Sequence, residues 1–327
     1  MFIKTLTTAA AALVLGAPLA VAEELKLADF QPPTHFVVET VYNPFAEAVS
    51  AGTNGEVTIR QYMGGELGPG PADQYSRVVD GLADIAFSLP GYTASTFPKT
   101  LLTELPGVIS ADTGTEKIVA HTDMLADEYK RVVLLGLWNN APNLLLMGKT
   151  PVRTLADLKG KKIRVPSRNA GLVVEAWGGS PVSMPAPEVY NAMQTGVLDG
   201  AMIDATALNA FKLAEVTGSV TQGMETSISD FFLIMNRDSF RDLSEEHQQV
   251  VLEAGKQAAL NGSAAWNGVA TTALEEFAAT DGKEVITLSP EEAQKFNDLS
   301  APVVAKVIEE ADAEGLEATA FVEALKQ

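Results

Sequence analysis

Two arginines four residues apart carry the clearest chemistry in this chain. They lie in "LKGKKIRVPSRNAG", residues 158–171, of a protein with only 23 lysines and arginines against 42 acidic residues. Arg164 alternates with Ile163 and Val165 in a short strand pattern, so its side chain points to the face opposite theirs. Pro166 stops that strand and leaves Arg164 near its carboxyl end, where open α/β sheets bind ligands. A guanidinium suits a planar carboxylate there, because its fork makes two parallel hydrogen bonds. The plainer alternative is an edge-strand arginine paired with a neighbouring acid. Arg168 opens the apolar run "AGLVVEAWG", where a cation opposes the helix dipole and a bound anion would relieve the conflict. An exposed, hydrated side chain explains Arg168 equally well.

Signals for catalysis are sparse. The three histidines, His35, His121 and His247, are far apart in sequence, and His121 with Asp123 is two ligands short of a metal site. The chain has no H-E-x-x-H, G-x-S-x-G or S-x-x-K, and "GELGPGPAD" lacks the Gly-Lys-Ser/Thr of a phosphate loop. Acid pairs such as Glu245-Glu246 and Glu309-Glu310 read as solvated helix faces. The expectation is a binding protein rather than an enzyme, with no cofactor and no metal.

Strand and helix patterns alternate around these residues. Strands are predicted in 23–30, 56–62, 83–89, 132–139 and 143–148, with a helix broken or kinked at Pro44 between the first two. A second unit begins near residue 142. It contains a capping box at Thr154 and Asp157, the strand carrying Arg164, two short helices and the strand "DGAMID". "DFFLIMN" (230–236) reads as another buried strand. A helix of over thirty residues follows, with Ser244 as its N-cap, and "SPEEA" at 289 starts a further helix. This βαβ rhythm predicts α/β architecture with mainly parallel sheets.

Composition narrows the class further. A formal charge of −19 disfavours nucleic acid and anionic lipid as partners. The chain has no cysteine, so packing alone must stabilise it. Residues 1–22 read as an export signal, with Lys4, an apolar run and the A-x-A site Ala20-Val21-Ala22, which predicts a periplasmic location.

The run "LADLKGKKIRVPS", followed by "WGGSPVSMPAPEVYNAMQTGVLDG", resembles the signature of the DctP-like solute-binding proteins of TRAP transporters. "PFAEAVSAGTNGEVTIRQYMGGELG" and "VVDGLADIAFSLPGY" extend the resemblance over most of the chain. It implies a two-lobed periplasmic-binding-protein (flytrap) fold with a long helix spanning both lobes. Lobe I would hold 23–141 and 225–265, and lobe II 142–224 and 266–327. It also implies a membrane permease pair as partner and a monomer in most relatives, with a dimer through the C-terminal helices in some. The arginine of the K-I-R-V-P motif, here Arg164, would hold the carboxylate of the ligand.

Departures from sialate-binding relatives, with Leu144 at the position of a second arginine and Met202-Ile203-Asp204 after the D-G, argue against a sugar acid. The expected ligand is a small monocarboxylate with an apolar or aromatic body, or a 2-oxo acid. The alternatives are a C4-dicarboxylate or sulfonate, with Arg168 as second clamp, or a sensor role toward a membrane receptor. Strand ends in this plan nominate His35, Glu66, Ser88, Tyr92, Trp138, Asn140, Asp204 and Phe231 beside the two arginines. Trp138 and Phe231 are the candidates for stacking, with core packing as the competing explanation.

Overall fold

A computed structural model describes residues 22–326. The expected export signal therefore falls, apart from Ala22, outside the described residues. Among those residues the strands are β1 (Glu23–Ala28), β2 (Val57–Tyr62), β3 (Ile85–Ser88), β4 (Val132–Asn139), β5 (Leu144–Met147), β6 (Lys162–Val165), β7 (Ser180–Ser183), β8 (Gly200–Ile203), β9 (Ser219–Gln222), β10 (Asp230–Asn236) and β11 (Glu284–Thr287). They form two sheets, ordered β2-β1-β3-β10-β4 and β11-β9-β5-β8-β6-β7.

Neither sheet is all-parallel, which corrects the reading of mainly parallel sheets. β10 runs antiparallel to β3 and β4, and β5 runs antiparallel to β8 and β9. The cause is topological. The chain leaves each sheet at the carboxyl end of a strand, β4 or β9, and crosses directly to the other sheet. The strand that receives it must start at the facing end and so runs against its neighbours. The two crossings lie side by side. Asn140 N donates to Ser229 O at 2.8 Å, Ser229 N donates to Asn140 Oδ1 at 2.7 Å, and Asn143 N donates to Ser227 O at 3.2 Å.

A third connection is the helix Glu245–Ala278, of 34 residues and roughly 50 Å. Ser244 caps it by accepting from His247 N. It packs Val251, Ala254, Ala258 and Trp266 into the core of the first sheet, while Ala270 and Phe277, farther along, reach the core of the second. Small residues let the helix sit directly on β4. A Cβ on Gly255 would meet Leu135 O at 2.6 Å.

Local capping follows the sequence closely. Thr154 and Asp157 form the capping box, and Ser289 caps the helix Pro290–Ala313 through Glu292 N. Pro44 falls in the first turn of the helix Asn43–Gly52, where its missing N–H costs nothing, and a short π-helical turn precedes it. The C-terminal helix Ala318–Lys326 departs from the expected division at 266–327. Phe321, Val322 and Leu325 pack with Ile118, Leu125 and Tyr129 of the first sheet's unit. The chain thus returns to its first half at the end.

Candidate functional site

The carboxyl ends of β1, β3, β4, β6 and β8 face one another across a small cavity between the two sheets. Arg164 lies in its wall, only 1% exposed. Its Nε donates to Met184 O at 2.9 Å, Nη1 to Met202 O at 3.2 Å and Nη2 to Tyr92 Oη at 3.3 Å. These bonds use three of its five N–H groups. Among the described residues no carboxylate lies within ion-pair distance of the guanidinium. Burial pulls the Arg164 pKa below its usual value, opposed by Tyr92, Asp204 and Glu104, but an arginine stays charged. A buried cation without a counter-ion is expensive, and an anion in the cavity would offset that cost.

Tyr92 reaches across from the turn after β3. Its oxygen accepts from Arg164 and from Ala186 N at 2.9 Å, so its own proton is left to donate. Burial raises its pKa and keeps the phenol neutral. His35 is equally constrained. Its Nδ1 accepts from Val37 N at 3.1 Å, and burial drives its pKa down to about 3. The neutral ring then carries its proton on Nε2, as a second uncharged donor in the cavity wall. Behind Arg164, burial pushes the Glu104 carboxyl up to about 7 against the pull of the Arg164 charge, and neither of its oxygens has a hydrogen-bond partner among the described residues.

Part of the remaining wall is aromatic. Phe30, Phe87, Phe211, Phe231 and Trp266 line it. The Phe231 and Trp266 ring centroids are 4.5 Å apart, and Phe87 and Phe231 5.2 Å.

Six of the ten nominated side chains meet here: Arg164, His35, Tyr92, Asn140, Asp204 and Phe231. Four do not. Arg168 follows the N-cap Ser167 and is exposed in a separate depression with Glu310 and Glu314. Glu66 is exposed on its loop. Ser88 points to the opposite face of β3 from Phe87 and donates to Pro71 O at 2.8 Å. Trp138 is fully buried behind the cavity, against Phe87, Phe231 and Trp266.

Sequence reasoning missed Phe30, Phe87, Phe211 and Trp266. One signal was available for Trp266, a lone large ring amid small residues in "GSAAWNG". A helix face that is otherwise small marks a close approach, and the ring must fill something there.

A two-sheet α/β protein, crossed three times and closed over a cavity with one unpaired buried cation, has the form of a solute-binding receptor. The family model of bacterial extracellular solute-binding proteins, family 7 (DctP), matches residues 27–311. The chain belongs to that family, the solute-binding proteins of TRAP transporters, which are receptors and not enzymes.

It is 29% identical over 283 residues to the ectoine/5-hydroxyectoine-binding periplasmic protein of Ruegeria pomeroyi, covering 83% of this chain and 82% of that one. A marine metagenome TRAP solute-binding protein specific for aromatic acid ligands, in complex with metahydroxyphenylacetate, matches with a TM-score of 0.87 at 28% identity, over 93% of this chain and 97% of that one. A TRAP periplasmic solute-binding protein from Bordetella bronchiseptica with bound (R)- and (S)-mandelate gives a TM-score of 0.85 at 28% identity, over 92% and 97%. Among the described residues no helix is long and apolar enough to cross a membrane.

Proposed function

We propose that this chain is a periplasmic receptor for a small monocarboxylate with an aromatic body, which it delivers to a TRAP membrane permease. The observation that carries this reading is the buried Arg164, with no carboxylate among the described residues within ion-pair distance, in a cavity where five aromatic rings form part of the wall. The ligand carboxylate takes the two N–H groups of Arg164 that the chain leaves unused, with the Tyr92 hydroxyl and His35 Nε2–H as further donors. The ring lies against Phe87, Phe231 and Trp266. The two structural relatives whose ligands are aromatic acids support the same class. The two sheets with their helices act as the lobes. They close about the paired crossings at 140–143 and 223–229 and about the long helix, so that Arg164 is desolvated against the carboxylate.

The test is thermal unfolding of residues 23–327 against a panel of organic acids, repeated with Arg164→Ala. At a ligand concentration 1,000-fold above its Kd, wild type gains about 4 kcal/mol and several degrees. Arg164→Ala abolishes that shift. A hit that survives the substitution places the anion elsewhere and overturns the reading.

A further inference from the structure

The cavity holds a second charge, and the ligand class proposed above does not use it. Asp204 follows β8, next to the strand of Arg164, and is 4% exposed in the same wall. The two are not paired with each other, so a fixed cation and a fixed anion face one small space.

The Asp204 carboxylate is held rigidly. Oδ1 accepts Thr206 N at 2.9 Å and the Thr206 hydroxyl, and Oδ2 accepts Asn140 Nδ2 at 2.8 Å. Asn140 cannot turn, because its Oδ1 accepts Ser229 N and its Nδ2 also donates to Asn143 Oδ1. All three bonds to Asp204 come from donors, which suits an ionised carboxylate. Burial works against them and raises the pKa. Each carboxylate oxygen can accept about two hydrogen bonds. Oδ1 has its two, whereas Oδ2 has one and keeps an acceptor site. Arg164, Tyr92 and His35 all offer donors, so Asp204 is the acceptor pole of the cavity.

We infer that Asp204 is the specificity-determining residue that accepts a hydrogen bond from a hydroxyl on the ligand's aromatic body and turns away a second carboxylate. This rests on the aryl monocarboxylate reading and narrows it to hydroxylated aryl acids. A hydroxyl that reaches Oδ2 forms a charge-assisted bond in a buried wall, and an unsubstituted ring leaves that oxygen without a partner. A carboxylate at the same place meets like charge. A ligand with an anion at one end and a donor at the other satisfies both poles.

Calorimetric titration of the mature chain with benzoate, 3-hydroxybenzoate, 4-hydroxybenzoate and isophthalate, in wild type and Asp204→Asn, tests this. Wild type prefers the better hydroxybenzoate over benzoate by about tenfold to hundredfold and binds isophthalate more weakly than benzoate. In Asp204→Asn the hydroxyl preference collapses to below about threefold, and the isophthalate-to-benzoate ratio rises at least about tenfold. If the variant weakens all four acids alike, Asp204 only shapes its loop and the inference is overturned. Wild type alone also decides the question should the variant not fold. Equal binding of benzoate and both hydroxybenzoates, or isophthalate bound as tightly as benzoate, overturns the inference and leaves the aryl-acid reading standing. Binding of none of the four acids overturns both.

Discussion

The two walls of the cavity are built on opposite principles. The wall from the first sheet and the long helix is a stack of rings, Phe30, Phe87, Phe231 and Trp266, whose faces and edges satisfy one another. It stabilises the fold whether or not a ligand is present. The wall from the second sheet sets Arg164 and Asp204 among backbone carbonyls and an amide, buried and unpaired with each other. That wall costs stability, because charges are desolvated without mutual neutralisation. The difference separates two roles. Damage to the ring wall appears first as lost stability, and damage to the polar wall appears first as lost or altered binding.

Trp266→Ala should break the ring wall with the largest effect. It removes a ring 2% exposed that touches His35, Phe36 and Phe231, and large-to-small changes of this kind cost about 3–5 kcal/mol. Chemical denaturation without ligand measures it. A loss below 1 kcal/mol would show that this wall is not part of the core.

The buried acid behind the polar wall should reveal itself through pH. Glu104 is buried beside Ser167, and its carboxyl is raised from 4.5 to about 7 in the folded chain. The folded state therefore holds a proton that the unfolded chain releases near 4.5. This group's contribution is full below 4.5, falls as pH rises to about 7, and is flat above that. The full swing is roughly 3 kcal/mol. Glu104→Gln should remove the slope, with a higher Tm than wild type at pH 8 and an unchanged one at pH 4. Parallel Tm curves across that range would sink the assignment. His35 acts with the opposite sign, since its depressed pKa costs stability as pH falls from 6.5 toward 3.

Where the walls meet, Gly91 permits their approach. A Cβ there would lie 2.9 Å from Ser167 Cβ and 3.1 Å from Pro166 O on the facing wall. Gly91→Ala should hold the lobes apart and weaken ligand binding by about 1–3 kcal/mol, while ligand-free stability changes little. Solution scattering with and without ligand would show the missing closure. An unaltered compaction would mean that the contact is slack.

The smallest effect belongs to Arg168→Ala. Exposed and outside the cavity, Arg168 should matter by less than about 0.5 kcal/mol to stability or binding. A tenfold loss of affinity in a titration would restore it as a second clamp.

Much of this could be read from the chain. The helix starts at Thr154, Ser244 and Ser289 were legible because a cap is a contact between residues three apart. Arg164 was legible because Ile163, Val165 and Pro166 fix its face and its place at a strand end. Strands buried on both faces offered no such guide. In β3, Ser88 and Phe87 are both buried, so hydrophobicity does not mark which faces the cavity. Trp138 ends a strand at the right height, yet another layer of rings covers it.

The sequence by itself determined the family, the α/β plan, the cation near a strand end and the long helix, all through local patterns of two to four residues or recognisable motifs. Only the tertiary structure decided that Arg164 lacks a protein counter-ion, that Asp204 faces the same space, and that Trp266 joins the wall from a helix over a hundred residues away. Those properties depend on which segments meet when the chain crosses three times between two sheets, and no spacing along one segment encodes the distance to another.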